Sequence, residues 1–313
     1  MDNFFYSLNA TLPIFLIILL GKFLIKIKLI DIPFTKILDK YVFYVALPAL
    51  VFKDLTENDI SGRFDGSYVL FCFVTTLVVI LLIWGLTSLF MKNKSEQGAF
   101  IQGSYRSSAA ILGLAFIDNM YDGAGLAPLM IIGAVPLFNI FAVIILTLKG
   151  DNGGKKPDVK TALKGILTNP ILIGIVVSLP FVFFDLHFPA FLNKGIISIA
   201  GTASPLALIS IGATFEGRKA IKKIKPTIVA SLIKLVLLPA LFLPLALYFG
   251  YRNQELMAIL IMLGSPATVS CYIMAKNTNN DATLTSSIIV LTTLLSSVTL
   301  TGWIFVLRSL GAL

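Results

Sequence analysis

Charge is what this chain has least of: only 13% of its 313 residues are Asp, Glu, Lys or Arg, where a soluble domain carries about a quarter. Histidine occurs once and cysteine twice, in no metal-ligand spacing, so neither a metal centre nor a disulfide framework is expected. His187 sits in the short loop LHFPAF and reads as a solvated or interfacial side chain, and Cys72 and Cys271 fall within apolar runs. No acidic residue lies clearly at the centre of an apolar run, which disfavours a carboxylate proton relay or a carboxylate-built sodium site, while sodium held by carbonyls and hydroxyls stays open. Without a P-loop there is no seat for ATP, so a primary pump is disfavoured and no cofactor is expected. Serine-rich stretches exist, but no histidine or paired carboxylate accompanies them, so an enzyme is not expected either.

What the chain has instead is hydrophobicity, 57% of residues, with a mean hydropathy of +0.91. This composition is that of a polytopic membrane protein. A span needs about 20 mostly apolar residues. Ten such segments are read near 5–26, 37–53, 67–91, 98–118, 126–148, 165–184, 191–214, 227–250, 255–275 and 283–307. The start, MDNFFYSLNA, lacks a basic region ahead of its apolar run, so the first segment is expected to be a retained span rather than a cleaved signal. Pro180, Pro205 and Pro266 fall inside segments, which a membrane tolerates where neighbouring helices or cavity water satisfy the freed backbone groups.

The polar stretch KGDNGGKKPDVKTALKG, 149–165, bisects the chain. Pro13 and Pro170 each open a segment and stand 157 residues apart, as do Pro48 in ALPALVF and Pro205 in ASPLALI. The same shift lays the first five segments over the last five and puts Ser108 on Ser265 and Ala109 on Pro266. The expectation is an all-α integral membrane protein of ten transmembrane helices in two five-helix repeats, 1–148 and 165–313, joined by a cytoplasmic linker, 149–164. Five is odd, so the second repeat enters the membrane inverted, as in many secondary carriers whose site lies at the midplane.

The net charge of +9 reports orientation before it reports nucleic acid, which is not an expected partner. Sixteen Lys and Arg residues gather on one side of the ten-segment scheme and five on the other. The positive-inside rule places the sixteen in the cytoplasm, and with an even number of spans both termini fall outside the cell. The basic cluster GRKAIKKIK, 217–225, then reads as a juxtamembrane anchor.

Segments four and nine are rich in small and hydroxyl residues, GSYRSSAAILGLAF and LGSPATVSCYIM. Gly264, Ser265 and Pro266 in succession predict a break or kink in the ninth, because proline removes a donor and clashes with the preceding turn. A broken helix exposes N–H groups and a positive dipole end suited to an anion. Close helix packing is the alternative use of Gly, Ala and Ser. Arg106, about 12 Å along a helix from Gly98, has three readings: substrate carboxylate ligand, partner of a counter-charge, or a side chain snorkelling to the cytoplasmic interface. Lys234 in SLIKLVLLP shares that ambiguity. Asn139 reads as an interhelical hydrogen bond or a substrate contact, Asp118 as a solvated cap or a proton-accessible carboxylate, and Asp39 with Lys40 as an interfacial anchor.

In their order and spacing, VFYVALPALVF, GSYRSSAAILGLAF, VPLFNIFAV, NPILIG, SPLALISIGA and LGSPATVSCYIMAKNTNND resemble the auxin efflux carrier family over nearly the whole chain. These are bacterial permeases related to plant auxin exporters and to the bile acid/anion transporter fold. The resemblance implies two inverted five-helix repeats, with segments four and nine broken and crossing at the midplane. It also implies a carboxylate-bearing substrate at that crossing and an elevator-like alternating-access motion. Against the family pattern R-S-N-T-A-F-x-G-L-P, Ser108 replaces the asparagine and Ala115 the proline.

The function expected is a secondary carrier of a small organic anion, a mono- or dicarboxylate such as malate or malonate, across the cytoplasmic membrane. An auxin-like aromatic acid, a channel and a non-transporting ligand sensor are the alternatives. The candidate binding residues are Arg106, Ser107, Ser108, Ala109, Gly113, Asn139, Gly264, Ser265, Pro266, Ala267 and Thr268, with Pro48 and Pro205 shaping adjacent turns. The lipid bilayer, the anion and a second copy of the chain are the partners considered.

Overall fold

The computed structural model describes residues 2–56, 65–109, 127–150, 159–184, 186 and 188–313. Gly113, Ala115, Asp118, His187 and half of the linker, 151–158, lie outside them. The helices in order are α1 (Asp2–Lys26), α2 (Ile32–Tyr41), α3 (Leu47–Thr56), α4 (Gly66–Phe90), α5 (Lys94–Tyr105), α6 (Ala127–Lys149), α7 (Val159–Leu167) and α8 (Pro170–Phe183). They continue as α9 (Ala190–Thr214), α10 (Gly217–Lys222), α11 (Ile224–Leu232), α12 (Leu238–Tyr248), α13 (Asn253–Gly264), α14 (Ser270–Asn277) and α15 (Ala282–Ser309). Short polar residues start several of them: Asp31, Asp65, Asn169 and Asp281 each accept a hydrogen bond from a first-turn backbone N–H.

The expectation of ten spans in two inverted five-helix repeats is not met. Among the described residues, five helices are long and apolar enough to cross a membrane: Gly66–Phe90, Pro128–Lys149, Ala190–Thr214, Ile224–Tyr248 and Ala282–Ser309. No second five-helix repeat is evident among them. Hydropathy overcounts here because it treats residues that are apolar for protein burial as if they faced lipid. Every residue of α13 from Leu256 to Gly264 is buried, so its apolar surface meets other helices on all sides. At twelve residues, α13 and α5 each reach about 18 Å, short of the roughly 30 Å hydrocarbon core. The second segment carries Asp39, Lys40 and Lys53. With the count revised, parity no longer fixes the side of the termini. The chain remains a multi-pass membrane protein.

Two prolines leave the same mark. A five-residue π-helical turn, Val42–Ala46, precedes Leu47 and Pro48, and another, Ile233–Leu237, precedes Leu238 and Pro239. Proline cannot donate to the carbonyl four residues back, and the widened turn absorbs the mismatch. The carbonyl that Pro239 leaves free, Leu235 O, accepts instead from the Trp303 indole at 3.0 Å. By contrast, α9 continues unbroken through Pro205.

Helices α1 and α9 approach closely at two glycines. A Cβ on Gly21 would lie 2.3 Å from Ile209 O, and one on Gly212 would lie 1.9 Å from Ile18 O. Both obstacles are backbone, which cannot rotate away, so the two helices must separate if either glycine gains a side chain. Gly212→Val is expected to lower stability by about 1–3 kcal/mol, read as a drop in the detergent-solubilised melting temperature. An unchanged melting temperature would argue against this contact.

One end of the molecule gathers the basic loops. Lys223, just before α11, pairs with Glu96 of α5 at 2.6 Å and with Asp281, the cap of α15, at 2.9 Å. Beside them Lys149 donates to Gln97 at 2.7 Å. Burial works against the Lys223 charge, but hydrogen bonds and attraction from Glu96 and Asp281 outweigh it and hold the ammonium above the ordinary lysine value of 10.5. A raised lysine contributes stability that is complete below the unfolded value and lost as pH rises through the folded one. Above about pH 10.5 the wild type is therefore expected to lose stability more steeply than Lys223→Met. Parallel melting profiles would show that this triad contributes nothing.

Asp39 is not an interfacial anchor. It is buried, pairs with Lys276 of α14 at 2.6 Å and accepts from Ser210 of α9. Lys276 also donates to the Tyr272 hydroxyl at 2.8 Å, which meets Thr214 at 2.7 Å. This polar group ties α2, α9 and α14 together.

Candidate functional site

The site is built where two helices stop. α5 ends at Tyr105, and Arg106 is already extended (φ −75°, ψ 121°). α13 ends at Gly264, and Ser265 is extended as well (φ −73°, ψ 158°). The two extended segments pass each other as a short antiparallel bridge between Ser107 and Ala267, and Ser108 N donates to Pro266 O at 3.0 Å. Backbone groups that no longer find helical partners are satisfied across the crossing, as buried polar groups require.

Pro266 explains the break and its repair. It cannot donate to Met262 O, four residues back, and that carbonyl accepts from the Ser107 hydroxyl instead. The next backbone donor, Ala267 N, goes to Thr292 Oγ1 of α15 at 3.1 Å. Gly264 has no room for a side chain, since a Cβ there would lie 2.8 Å from Pro239 Cγ. Ser265 is fully buried and its hydroxyl has no hydrogen-bond partner.

Two helix C-termini therefore face one another, each the negative end of a macrodipole. Lys234, fully buried in the π turn between α11 and α12, lies between them. Its ammonium donates to Tyr105 O of α5 at 3.0 Å, to Leu263 O of α13 at 3.0 Å, and to Ser107 Oγ. The ambiguity of Lys234 is resolved in favour of the interior.

Arg106 does not snorkel. It is 5% exposed, and its guanidinium donates to Asn139 Oδ1 of α6 at 2.6 Å and to the Met274 sulfur of α14. Asn139 is held in turn by its own donation to Val135 O at 2.9 Å. No carboxylate pairs with Arg106 among the described residues. The guanidinium borders a cavity of about 40 Å³, which Ser107, Ser108, Ala109, Asn139 and Thr268 also line. Ser270, the first residue of α14, opens on the same space, so the positive end of that helix faces it. Asp54 lines it too, a contribution that nothing in the sequence pattern around α3 signals. Gly264, Ser265, Pro266 and Ala267 shape the crossing behind the cavity rather than its wall. Pro48 follows the π turn at the start of α3, next to the wall residue Leu47.

A guanidinium, hydroxyls and a helix N-terminus converging on one space favour an anion. A cavity of about 40 Å³ admits water but not a dicarboxylate, whose site needs several times that volume.

A family model described as "Membrane transport protein" matches residues 6–304. A protein of Rhizobium meliloti, provisionally named a malonate transporter, is 28% identical over 97% of each chain. An uncharacterized transporter of Methanocaldococcus jannaschii is 26% identical over 95% of this chain and 98% of its own. Another, of Methanothermobacter thermautotrophicus, is 22% identical over 97% of this chain and 99% of its own.

Proposed function

This chain belongs to the membrane transport protein family, as its resemblance to auxin efflux carrier permeases implied, and from that premise we propose that it is a secondary carrier of a small organic anion. Transport rather than enzymatic turnover is the family's business. The substrate is a mono- or dicarboxylate, with malonate the first to test because of the name borne by the Rhizobium relative. The observation that carries this reading is Arg106, a nearly buried guanidinium at the cavity wall whose partners among the described residues are an amide oxygen and a thioether. A cation in low dielectric needs an anion more than those neutral groups supply.

The substrate carboxylate would bind Arg106 while the Ser108, Thr268 and Ser270 hydroxyls and the α14 N-terminus receive its other oxygens. The cavity must widen to admit it and close again on the other side, which is alternating access. The experiment is uptake into proteoliposomes of a panel of labelled carboxylates beside an amine of equal size. Saturable uptake of carboxylates alone is expected; equal uptake of the amine would overturn the assignment.

Orientation rests on the basic loops, which we place in the cytoplasm. Cys72 and Cys271 are both buried, so a cysteine introduced at Lys219 can be labelled selectively. A membrane-impermeant maleimide should reach it only after the cells are opened. Labelling of intact cells would reverse the orientation.

A further inference from the structure

Lys234 does more than fill a gap between helices. Carriers with discontinuous helices hold coupling cations on the unwound carbonyls and C-terminal ends of their half-helices. Here the C-terminal ends of α5 and α13 already hold a positive charge, and it belongs to the protein. We propose that the Lys234 ammonium is a resident cation at the crossing, occupying the seat a coupling metal ion would take, so that transport proceeds without sodium.

The hydrogen-bond partners suit the charged form. Tyr105 O and Leu263 O are carbonyls and can only accept. The Ser107 hydroxyl spends its proton on Met262 O, so it too can only accept from Lys234. Three acceptors therefore meet one nitrogen, and only an ammonium carries three N–H donors. A neutral amine has two, and would leave one buried acceptor facing a lone pair. The set of oxygens, two carbonyls and a hydroxyl, is of the kind that holds a coupling cation, and the ammonium satisfies it.

The inference deepens the carrier reading, but it can be tested apart from substrate. Melting of the purified protein is compared in sodium chloride and in choline chloride at equal ionic strength. The wild type is expected to melt at the same temperature in both, and its malonate uptake to be unchanged when choline replaces sodium. Lys234→Ala empties the seat. In choline its melting temperature should fall by roughly 5–10 °C, and methylammonium or sodium should restore part of the loss while choline does not.

A sodium-specific rise in the melting temperature of the wild type would overturn the proposal, as would uptake that stops without sodium. A folded Lys234→Ala protein indifferent to small cations would overturn it as well. Should that variant fail to fold, the wild-type melting comparison still decides. If malonate is not transported at all, the carrier reading suffers, while the melting experiment continues to report on Lys234.

Discussion

Arg106→Ala is expected to weaken binding of the transported anion on the order of 100-fold, about 3 kcal/mol, while the protein still inserts and folds. The two consequences separate because the partners of Arg106 among the described residues are neutral. Removing it strands Asn139 Oδ1, at a cost of roughly 1–3 kcal/mol, but leaves no unpaired buried charge. A bound carboxylate, by contrast, would lose the cationic ligand proposed for it. Arg106→Lys keeps the charge but not the planar fork, so it should recover part of the affinity and not all. Affinity measured by substrate-induced thermal shift checks both variants. An alanine variant that binds as tightly as the wild type would reduce Arg106 to a packing residue.

Lys234→Met should behave in the opposite way, with stability failing first. The methionine fills the volume but donates nothing to Tyr105 O, Leu263 O or Ser107 Oγ. Two helix C-termini then oppose each other uncapped in the protein interior. The loss is expected to be about 3–5 kcal/mol, the range for removing one side of a buried charge interaction. Transport should disappear with it, because Ser107 and the bridge to Ala267 depend on the same ammonium. The check is a melting curve together with limited proteolysis of the crossing. A variant as stable as the wild type would mean that the two helix ends do not need a cation.

These contrasting roles mark the limit of what could be read from residues alone. Pro266 announced the break of the ninth segment, because a missing N–H is a local property. The small residues from Gly103 to Ala109 pointed to the same region, and six of the candidates do meet at one cavity wall. Arg106 and Lys234 were visible as charges in apolar runs, but their partners sit on other helices, 33 and 129 residues away in sequence. Only packing can pair them. The same limit misled the count of spans. A run such as Leu256–Leu263 is equally apolar whether lipid or protein surrounds it, and hydropathy cannot tell the two apart. Asp39 failed for a related reason: its ion pair with Lys276 turns an apparent interfacial anchor into an interior contact.

Counterflow tests most directly whether the protein is a carrier whose anion binds at Arg106. Proteoliposomes loaded with unlabelled malonate are diluted into labelled malonate, first with wild-type protein and then with Arg106→Ala at equal reconstitution. Transient accumulation of label above the outside concentration by the wild type, greatly reduced in the variant, is the predicted result. Equal accumulation by both proteins, or none by the wild type with any carboxylate of the panel, would contradict it.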